Sequence, residues 1–480
     1  MKFGSKPLGR NKLMNNSSAK KRILITGASG LIGSELSLAL LLKNWELVIL
    51  GRSSEKSFKT NFTLPCEYYQ WADSTHSEPP KSALKVDCVL NLMGEPIANR
   101  RWTENQKVKL RDSRILSTKN LVDALKKYNP SLKSFVSSSA IGIYGEGGNK
   151  FLSENSPGSN DFLGTLCSDW EFEALKAPGR TVIIRTGIVL SNSGGALEKM
   201  RPVFEKSLGG RLSNGKHWMS WIHIEDLINI YLAAIENPTY HGAYNAVAPE
   251  PVTNTEFTYS LAQHLKVRVF LPVPKFILKL GMGEMAQMLL CSQRVKPEAL
   301  ESQKFNFKFQ RLESALKNLY SWKKSRHDRL FQSSQWVSQP RSKVFPFFSE
   351  VKNLEILTPA FLNFHVLKKS TEQIQSGTII DYKLNIHGIP VKWRSQICNW
   401  QPEQEFSDIQ LKGPYKKWDH THGFLELAEG TLLTDKVIYR MPLAEIGGNL
   451  AKPIVANDIK KIFSFRKQKI LELFGSSVSK

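Results

Sequence analysis

A chain of 480 residues is longer than one ordinary hydrophobic core holds, so two or three domains are expected. With 41% hydrophobic and 10% aromatic residues the composition is neither disordered nor collagen-like. The net charge of +23 raises nucleic acid as a partner, but its distribution argues against a specific one. Residues 1–22 hold seven basic and no acidic side chains, whereas 23–293 hold 29 against 25. Residues 294–330 hold ten against four, and 331–480 hold 20 against 14. A tail and a connector therefore carry most of the excess, which reads as solubilising charge and a weak attraction to anionic surfaces. Cys66, Cys88, Cys167, Cys291 and Cys398 are scattered, odd in number and free of CxxC spacing. That excludes a disulfide framework and a thiolate zinc site, and suits a reducing, cytoplasmic setting. No stretch has the length of uncharged apolar residues that a membrane span needs.

Residues 1–21 are expected to be a basic, disordered tail, and they lack the apolar core of a secretory signal. Strands are predicted at Arg22–Thr26, Glu46–Leu50, Val86–Leu92 and Lys133–Ser138, with a further one in RTVIIRTGIVLS. Helical stretches separate them, the one from about Glu104 to Lys127 rich in basic residues. This alternation predicts an α/β Rossmann fold, a doubly wound parallel sheet, with a small C-terminal substrate lobe. A basic, helix-like stretch from Arg311 to Arg329 precedes a change of composition near Gln332. Beyond it SGTIIDYKLNI, VKWRSQICNW, FSDIQLKG and TLLTDKVIYRM alternate like antiparallel strands. A closing helix follows, with Val455, Ile459, Ile462, Phe463, Ile470 and Phe474 on one apolar face. The domains are thus the tail, a nucleotide-binding unit over 22–320, a linker over 321–331 and an α+β unit over 332–475.

Gly27-Ala28-Ser29-Gly30-Leu31-Ile32-Gly33 directly follows the first strand and opens a helix. In such a turn Gly27 permits the tight bend, Gly30 admits a pyrophosphate to the backbone and Gly33 lets helix and strand pack closely. Ser29, Leu31 and Ile32 supply the oriented N–H groups of the helix start. The GxxGxxG spacing points to the short-chain dehydrogenase/reductase variety of Rossmann domain. Where an NAD enzyme usually has an acidic residue for the ribose diol, this chain has Gly51-Arg52-Ser53. Arg52 and Ser53 favour NADP over NAD, since a guanidinium pairs with a 2′-phosphate; the other reading of Arg52 is a plain surface arginine. Asn91 and Gly94, after the third strand, are further cofactor candidates.

TGASGLIG, NLMGEPIANRRW, SRILSTKNLVDAL, SSSAIGIYG, RTGIVLS with GGALEKM, WMSWIHIEDL, YNAVAPEPVTNTEF and VFLPVPKFILKLGMGEMAQMLLCSQRVKPEAL together carry a resemblance. They resemble the epimerase-like branch of the atypical extended short-chain dehydrogenases/reductases, in the NAD-dependent epimerase/dehydratase superfamily. The resemblance covers about 22–320, with that branch's C-terminal extension over about 265–312. It implies NAD(P) binding in the N-terminal lobe and substrate contact from the C-terminal lobe. Extended reductases use a Ser or Thr, a Tyr as acid/base and a Lys that lowers the phenol's pKa. In SSSAIGIYG the hydroxyl is Ser139, with Ser138 the alternate. Anchored on Glu171, the Tyr-x-x-x-Lys helix has Leu163 and Cys167 where Tyr and Lys belong, so the usual set is broken. Tyr144, five residues past Ser139 and expected at the mouth of the cleft, is the substitute acid/base; Cys167 is either an activated thiol or an inert buried one. Arg101, Trp102, Arg185, Trp218 and His223 are candidates for the substrate side, and His223 equally suits a structural buttress.

PRSKVFPFFSEVKNLEILTP, SGTIIDYKLNIHGIPVKWRSQI, FSDIQLKGPYKKWDHTHGFLEL, TLLTDKVIYRMP and the last helix resemble the START-like, polyketide cyclase (SRPBCC) superfamily over 332–475. That implies a helix-grip fold with a cavity, which Trp393, Trp400, Tyr415, Trp418 and Phe424 either line or fill. His420 and His422 alternate on one strand and face the same side. A metal site needs a third ligand that the sequence does not name, so none is assigned. Two functions fit. One is NAD(P)-dependent oxidation, reduction or epimerisation of a small or lipophilic hydroxyl or carbonyl compound that the second domain helps to hold. The other is an inactive NADP(H)-binding sensor with a lipid-binding domain.

Overall fold

The computed structural model describes residues 20–269, 271–442 and 452–475; all but the last two residues of the expected tail lie outside them. Seven strands build the first sheet: β1 (Arg22–Thr26), β2 (Glu46–Gly51), β3 (Glu67–Gln70), β4 (Cys88–Asn91), β5 (Ser134–Ala140), β6 (Arg180–Thr186) and β7 (Gly242–Ala246). Their order is β3-β2-β1-β4-β5-β6-β7 and every pairing is parallel. A parallel strand covered on both faces is apolar at successive positions. β1 follows that rule: Ile23 and Ile25 pack with Leu36 and Leu40 of α1 (Leu31–Leu42), while Leu24 meets Leu121 and Leu125 on the other face.

The basic stretch expected as one helix is two, Glu104–Asp112 and Ile115–Tyr128. The break falls at Ser113 and Arg114, whose side chains turn away to the loop after β4. Ser113 Oγ accepts from the Glu95 N–H at 2.9 Å, and Arg114 Nη2 donates to the Glu95 carbonyl at 3.0 Å. β5 extends to Ala140, so Ser139 lies in the strand together with Ser138 rather than at the start of a loop.

The second sheet contains β8 (Arg329–Val337), β9 (His365–Lys369), β10 (Ile379–Ile386), β11 (Ile389–Gln401), β12 (Glu405–Lys412), β13 (Lys417–Leu427) and β14 (Gly430–Arg440). The order β8-β14-β13-β12-β11-β10-β9 is antiparallel throughout. A long helix, named α5 below (Lys452–Phe474), lies against this sheet and buries Ile459, Phe463 and Ile470, three of the six residues of the apolar face. The fold class read from the sequence holds: a parallel Rossmann sheet followed by an α+β unit built on an antiparallel sheet.

The connector is packed, which corrects its reading as a solvated linker. The Lys323 ammonium is fully buried, 3.2 Å from Glu205, and donates to the Asp328 carbonyl at 2.9 Å. Asp328 in turn accepts from the Lys324 and Ser325 N–H groups and from Arg440 Nε at 2.8 Å. The strand β8 also begins at Arg329, inside the expected linker. Leu427 and Leu432 share an apolar cluster with Phe58 and Phe62, joining the two sheets. Among the described residues no helix is long and apolar enough to cross a membrane.

Candidate functional site

The glycine turn has the steric signature of a dinucleotide cradle. Gly27 has φ +71°, and a Cβ there would lie 2.6 Å from the Leu92 carbonyl oxygen. A Cβ on Gly33 would lie 2.3 Å from the Gly27 oxygen, backbone that cannot move aside. Gly30 is exposed, in extended conformation, and caps α1 with no side-chain acceptor; the first turn carries no acidic residue. The N–H groups at that helix start are therefore available to an anion. Ser29 is exposed, and Leu31 and Ile32 are half-buried at the same turn. These residues fit a bound dinucleotide pyrophosphate.

Arg52 stands at the end of β2 with 72% of its side chain exposed, its Nη1 3.7 Å from Glu95. The neighbouring Ser53 carbonyl accepts from the Tyr68 hydroxyl at 2.6 Å. Asn91 is wholly buried: Nδ2 donates to Thr118 and Ser137, and Oδ1 accepts from Thr26. Its side chain ties β1, β4 and β5 together, so any contact with a ligand must come from its neighbourhood instead. Gly94 makes room for the Arg114 guanidinium, which a Cβ would approach to 2.8 Å.

At the end of β5 and in the turn after it the candidate catalytic hydroxyls are drawn into one internal network. Ser139 Oγ donates to Glu171 Oε1 at 2.5 Å. Glu171, on a helix we number α2 (Phe162–Ala174), is held in two places by Arg185, through Nε at 3.0 Å and Nη2 at 2.8 Å. Arg185 Nη1 donates to the Tyr144 hydroxyl at 2.9 Å, which donates to Asn245 Oδ1 at 2.7 Å. Tyr144 is thus not at a mouth: it is 4% exposed, packed with Ile141, Ile143 and Val295. Burial pushes its phenol up from the ordinary value, with Arg185 opposing. The register explains the convergence, because Ser139 pairs directly with Arg185 across β5 and β6. Sequence reasoning singled out Ser139, Tyr144 and Arg185 but missed Glu171 and Asn245 as their partners; Asn245 arrives through the register of β6 and β7, and Glu171 through the packing of α2 against the sheet.

Leu163 and Cys167 do face this region. A Cβ on Gly142 would lie 3.5 Å from Leu163 and 4.0 Å from the Cys167 sulfur. Burial pushes the Cys167 thiol up to about 12, which makes it inert. Ser138 is bonded to the Tyr231 hydroxyl at 2.6 Å.

The substrate-side candidates are dispersed. The Arg101 guanidinium donates to the Leu280 and Gly281 carbonyls, pinning the extension to the loop after β4. Trp102 is buried, bonded to the Ile97 carbonyl at 2.9 Å and packed 5.2 Å from Phe162. Trp218 is half-buried, bonded to Asn149 and covered by Arg294 at 4.0 Å. His223 makes the contacts that its buttress reading expects: Nδ1 accepts from the Glu225 N–H and caps a helix numbered α3 (Ile224–Glu236), its ring lies 3.9 Å from Phe309, and burial lowers it to about 4.

The second sheet and α5 enclose a cavity of about 450 Å³. Trp393, Tyr415 and Trp418 line it; Trp400 and Phe424 instead pack around Phe345 in the core, on a helix numbered α4 (Arg341–Ser349). The wall is mainly apolar; its polar members include Asp408, His420, His422 and Arg466 together on one side, with Ser395, His387 and Asp458 among the others. Behind it Asp435 accepts from His420 Nε2 at 3.0 Å. Burial lowers His420 to about 4.

Residues 23–247 match the NAD dependent epimerase/dehydratase family, and residues 273–319 match a domain of unknown function (DUF1731). An epimerase family protein of Mycobacterium leprae is 35% identical over 307 residues, covering 63% of this chain and 97% of that protein. A chloroplastic homologue of epimerase family protein SDR39U1 from Arabidopsis thaliana is 35% identical, covering 62% of this chain and 85% of its own length. The crystal structure of human epimerase family protein SDR39U1 (isoform 2) with NADPH superposes with a TM-score of 0.57 at 31% identity, covering 62% of this chain and 99% of that one. These matches, together with the glycine turn and the parallel sheet that carries it, place the chain in the NAD dependent epimerase/dehydratase family.

Proposed function

We propose that the chain binds NADP(H) at the Gly27–Gly33 turn and uses it to oxidise, reduce or epimerise a hydroxyl or carbonyl compound. The open, uncapped start of α1 carries this reading, because it offers N–H donors to a pyrophosphate where a Cβ at Gly27 or Gly33 would not fit. Bound there, the nicotinamide supplies or takes a hydride. The chain's residues hold it: Ser29 to Ile32 present backbone N–H groups to the phosphates, and Arg52 offers a charge-assisted contact to a 2′-phosphate. The NADPH in the human relative's structure supports NADP over NAD. The second domain is read as a helix-grip, START-like module that captures a lipophilic small molecule, since its cavity of about 450 Å³ is walled by aromatic and aliphatic side chains.

One observation favours a second reading, an NADP(H)-binding sensor without turnover. Leu163 and Cys167 replace the proton-transferring pair, and Ser139 and Tyr144 are bonded to Glu171, Arg185 and Asn245. Calorimetry with NADPH, followed by an NADPH-oxidation screen against hydrophobic ketones, separates the two. Turnover that drops in Tyr144→Phe or Ser139→Ala supports the enzyme; tight binding with no turnover across the screen leaves the sensor.

A further inference from the structure

The polar patch in the second cavity has a geometry that neither reading uses. Asp408, His420 and His422 come from two central strands. Asp408 on β12 pairs directly with His420 on β13, and His422 follows two residues on, so all three side chains share one face. Asp408 Oδ1 lies 3.7 Å from His420 Nδ1 and 3.4 Å from His422 Nε2. Both separations exceed a well-formed N–H···O hydrogen bond, about 2.7–3.2 Å. They are close to the separation of two ligands of one tetrahedral ion, which bonds of about 2.0–2.2 Å place roughly 3.3–3.6 Å apart, the longer one needing to close by about 0.1 Å. The three ligand atoms all lie within 4.8 Å of one another.

The remaining ring nitrogens are already directed. His420 Nε2 lies 3.0 Å and His422 Nδ1 3.1 Å from the same oxygen, Oδ1 of Asp435. A ligating histidine commonly gives its other N–H to a carboxylate, which fixes tautomer and ring orientation. Asp435 pairs with His422 in the register of β13 and β14, and Arg466 of α5 lies 3.5 Å from its Oδ1. Arg466 Nη2 also lies 3.2 Å from His422 Nδ1, and a guanidinium only donates. Ion binding therefore requires the ring to move its proton to Nδ1 and give it to Asp435, Arg466 then keeping its contact with Asp435 Oδ1 at 3.5 Å and Nε2 becoming free to ligate. Packing locks both rings: Phe406 stacks on His422 with centroids 4.4 Å apart, and Phe463 meets His420 edge-on at 5.6 Å.

We propose that Asp408, His420 and His422 bind one divalent first-row transition ion, with a remaining coordination position open to the cavity. The donor set, two imidazoles and one carboxylate, is that of zinc or ferrous iron rather than of calcium or magnesium. The ligands sit on strands, so the site is rigid, and the three groups line the cavity wall while Asp435 stands behind them. This inference concerns the second domain alone and stands whether or not the nucleotide turn is loaded.

The test uses the full chain, stripped with a chelator, desalted and titrated with Co²⁺ alone. We expect visible d–d bands of low-coordinate cobalt that saturate at one ion per chain and are displaced by Zn²⁺. Two hyperfine-shifted, exchangeable ring N–H protons are also expected in the cobalt form, one from each histidine hydrogen-bonded to Asp435. Asp408→Asn keeps the side chain's shape and should weaken binding at least 100-fold with an unchanged metal-free melting temperature. Asp435→Asn should weaken it by about 10–100-fold. A wild-type chain that takes up no cobalt, or that shows no shifted ring protons, overturns the proposal whatever the variants do. So does an Asp408→Asn chain that titrates like wild type.

Discussion

Gly30→Asp separates the nucleotide reading from any effect on folding. Gly30 has φ −76° and ψ 170°, which any L residue adopts, and a Cβ there would meet only the Gly27 oxygen, at 3.3 Å. The new carboxylate caps α1, which now has no side-chain cap, and faces the positive end of the helix. The cap is worth about 0.3–1 kcal/mol and is set against the tight 3.3 Å contact with backbone, so the net change in stability should be small. The same carboxylate occupies the place of the pyrophosphate. Two like charges about 4 Å apart repel by about 4 kcal/mol at an effective dielectric near 20. At about 1.4 kcal/mol per tenfold, NADPH affinity should fall roughly a thousandfold. Calorimetry with NADPH gives the affinity, and thermal melting of the ligand-free chain gives the stability. Affinity within about threefold of wild type would refute the assignment of the turn. A large fall in melting temperature would refute the account of its geometry.

Arg52→Ala should lower NADPH affinity by about tenfold, one charge-assisted hydrogen bond, and leave NADH affinity unchanged; equal loss for both returns Arg52 to the surface. Glu171→Gln leaves the Arg185 guanidinium uncompensated in a site where both side chains are about one-tenth exposed. It should destabilise the chain by about 3–5 kcal/mol in denaturant titrations, and a change below about 1 kcal/mol would show the pair to be dispensable. Burial holds Lys323 at about 8, below its ordinary 10.5. Between those pH values the unfolded chain binds the extra proton, so this group's contribution makes stability rise with pH, by at most about 3 kcal/mol. The comparison is with Lys323→Met, in which that part of the slope should vanish; parallel pH profiles would contradict the buried placement.

What was legible in the sequence was local in it. The Gly27–Gly33 turn is seven consecutive residues whose spacing states its own geometry. β1 reads as an unbroken apolar run because both its faces are covered. The apolar face of α5 reads from its 3.6-residue period, and Ile459, Phe463 and Ile470 are buried as that period requires. The break at Ser113 and Arg114 was not legible, since both halves keep a helical composition and the cause is a partner, Glu95, on another loop. Nor was the burial of Lys323, because Glu205 and Arg440 reach the connector from elements more than 100 residues away in the chain.

The same distinction decides what the site residues mean. Ser139 and Tyr144 were identified as chemistry-bearing residues by their neighbourhood in the chain, but their partners arrive across strands. Arg185 is the register mate of Ser139, and Asn245 lies on β7, beside Arg185 in that pairing. A hydroxyl that donates at 2.5 Å to a carboxylate already clamped by a guanidinium is fixed in one orientation. It serves a reaction only if a ligand displaces that bond, which leaves the buried Glu171 carboxylate one donor short unless the ligand supplies another. Asp408 shows the converse: two histidines looked insufficient for a metal until strand pairing set a carboxylate opposite His420. In the first domain the register closes a site that the sequence left open; in the second it completes one that the sequence left short of a ligand.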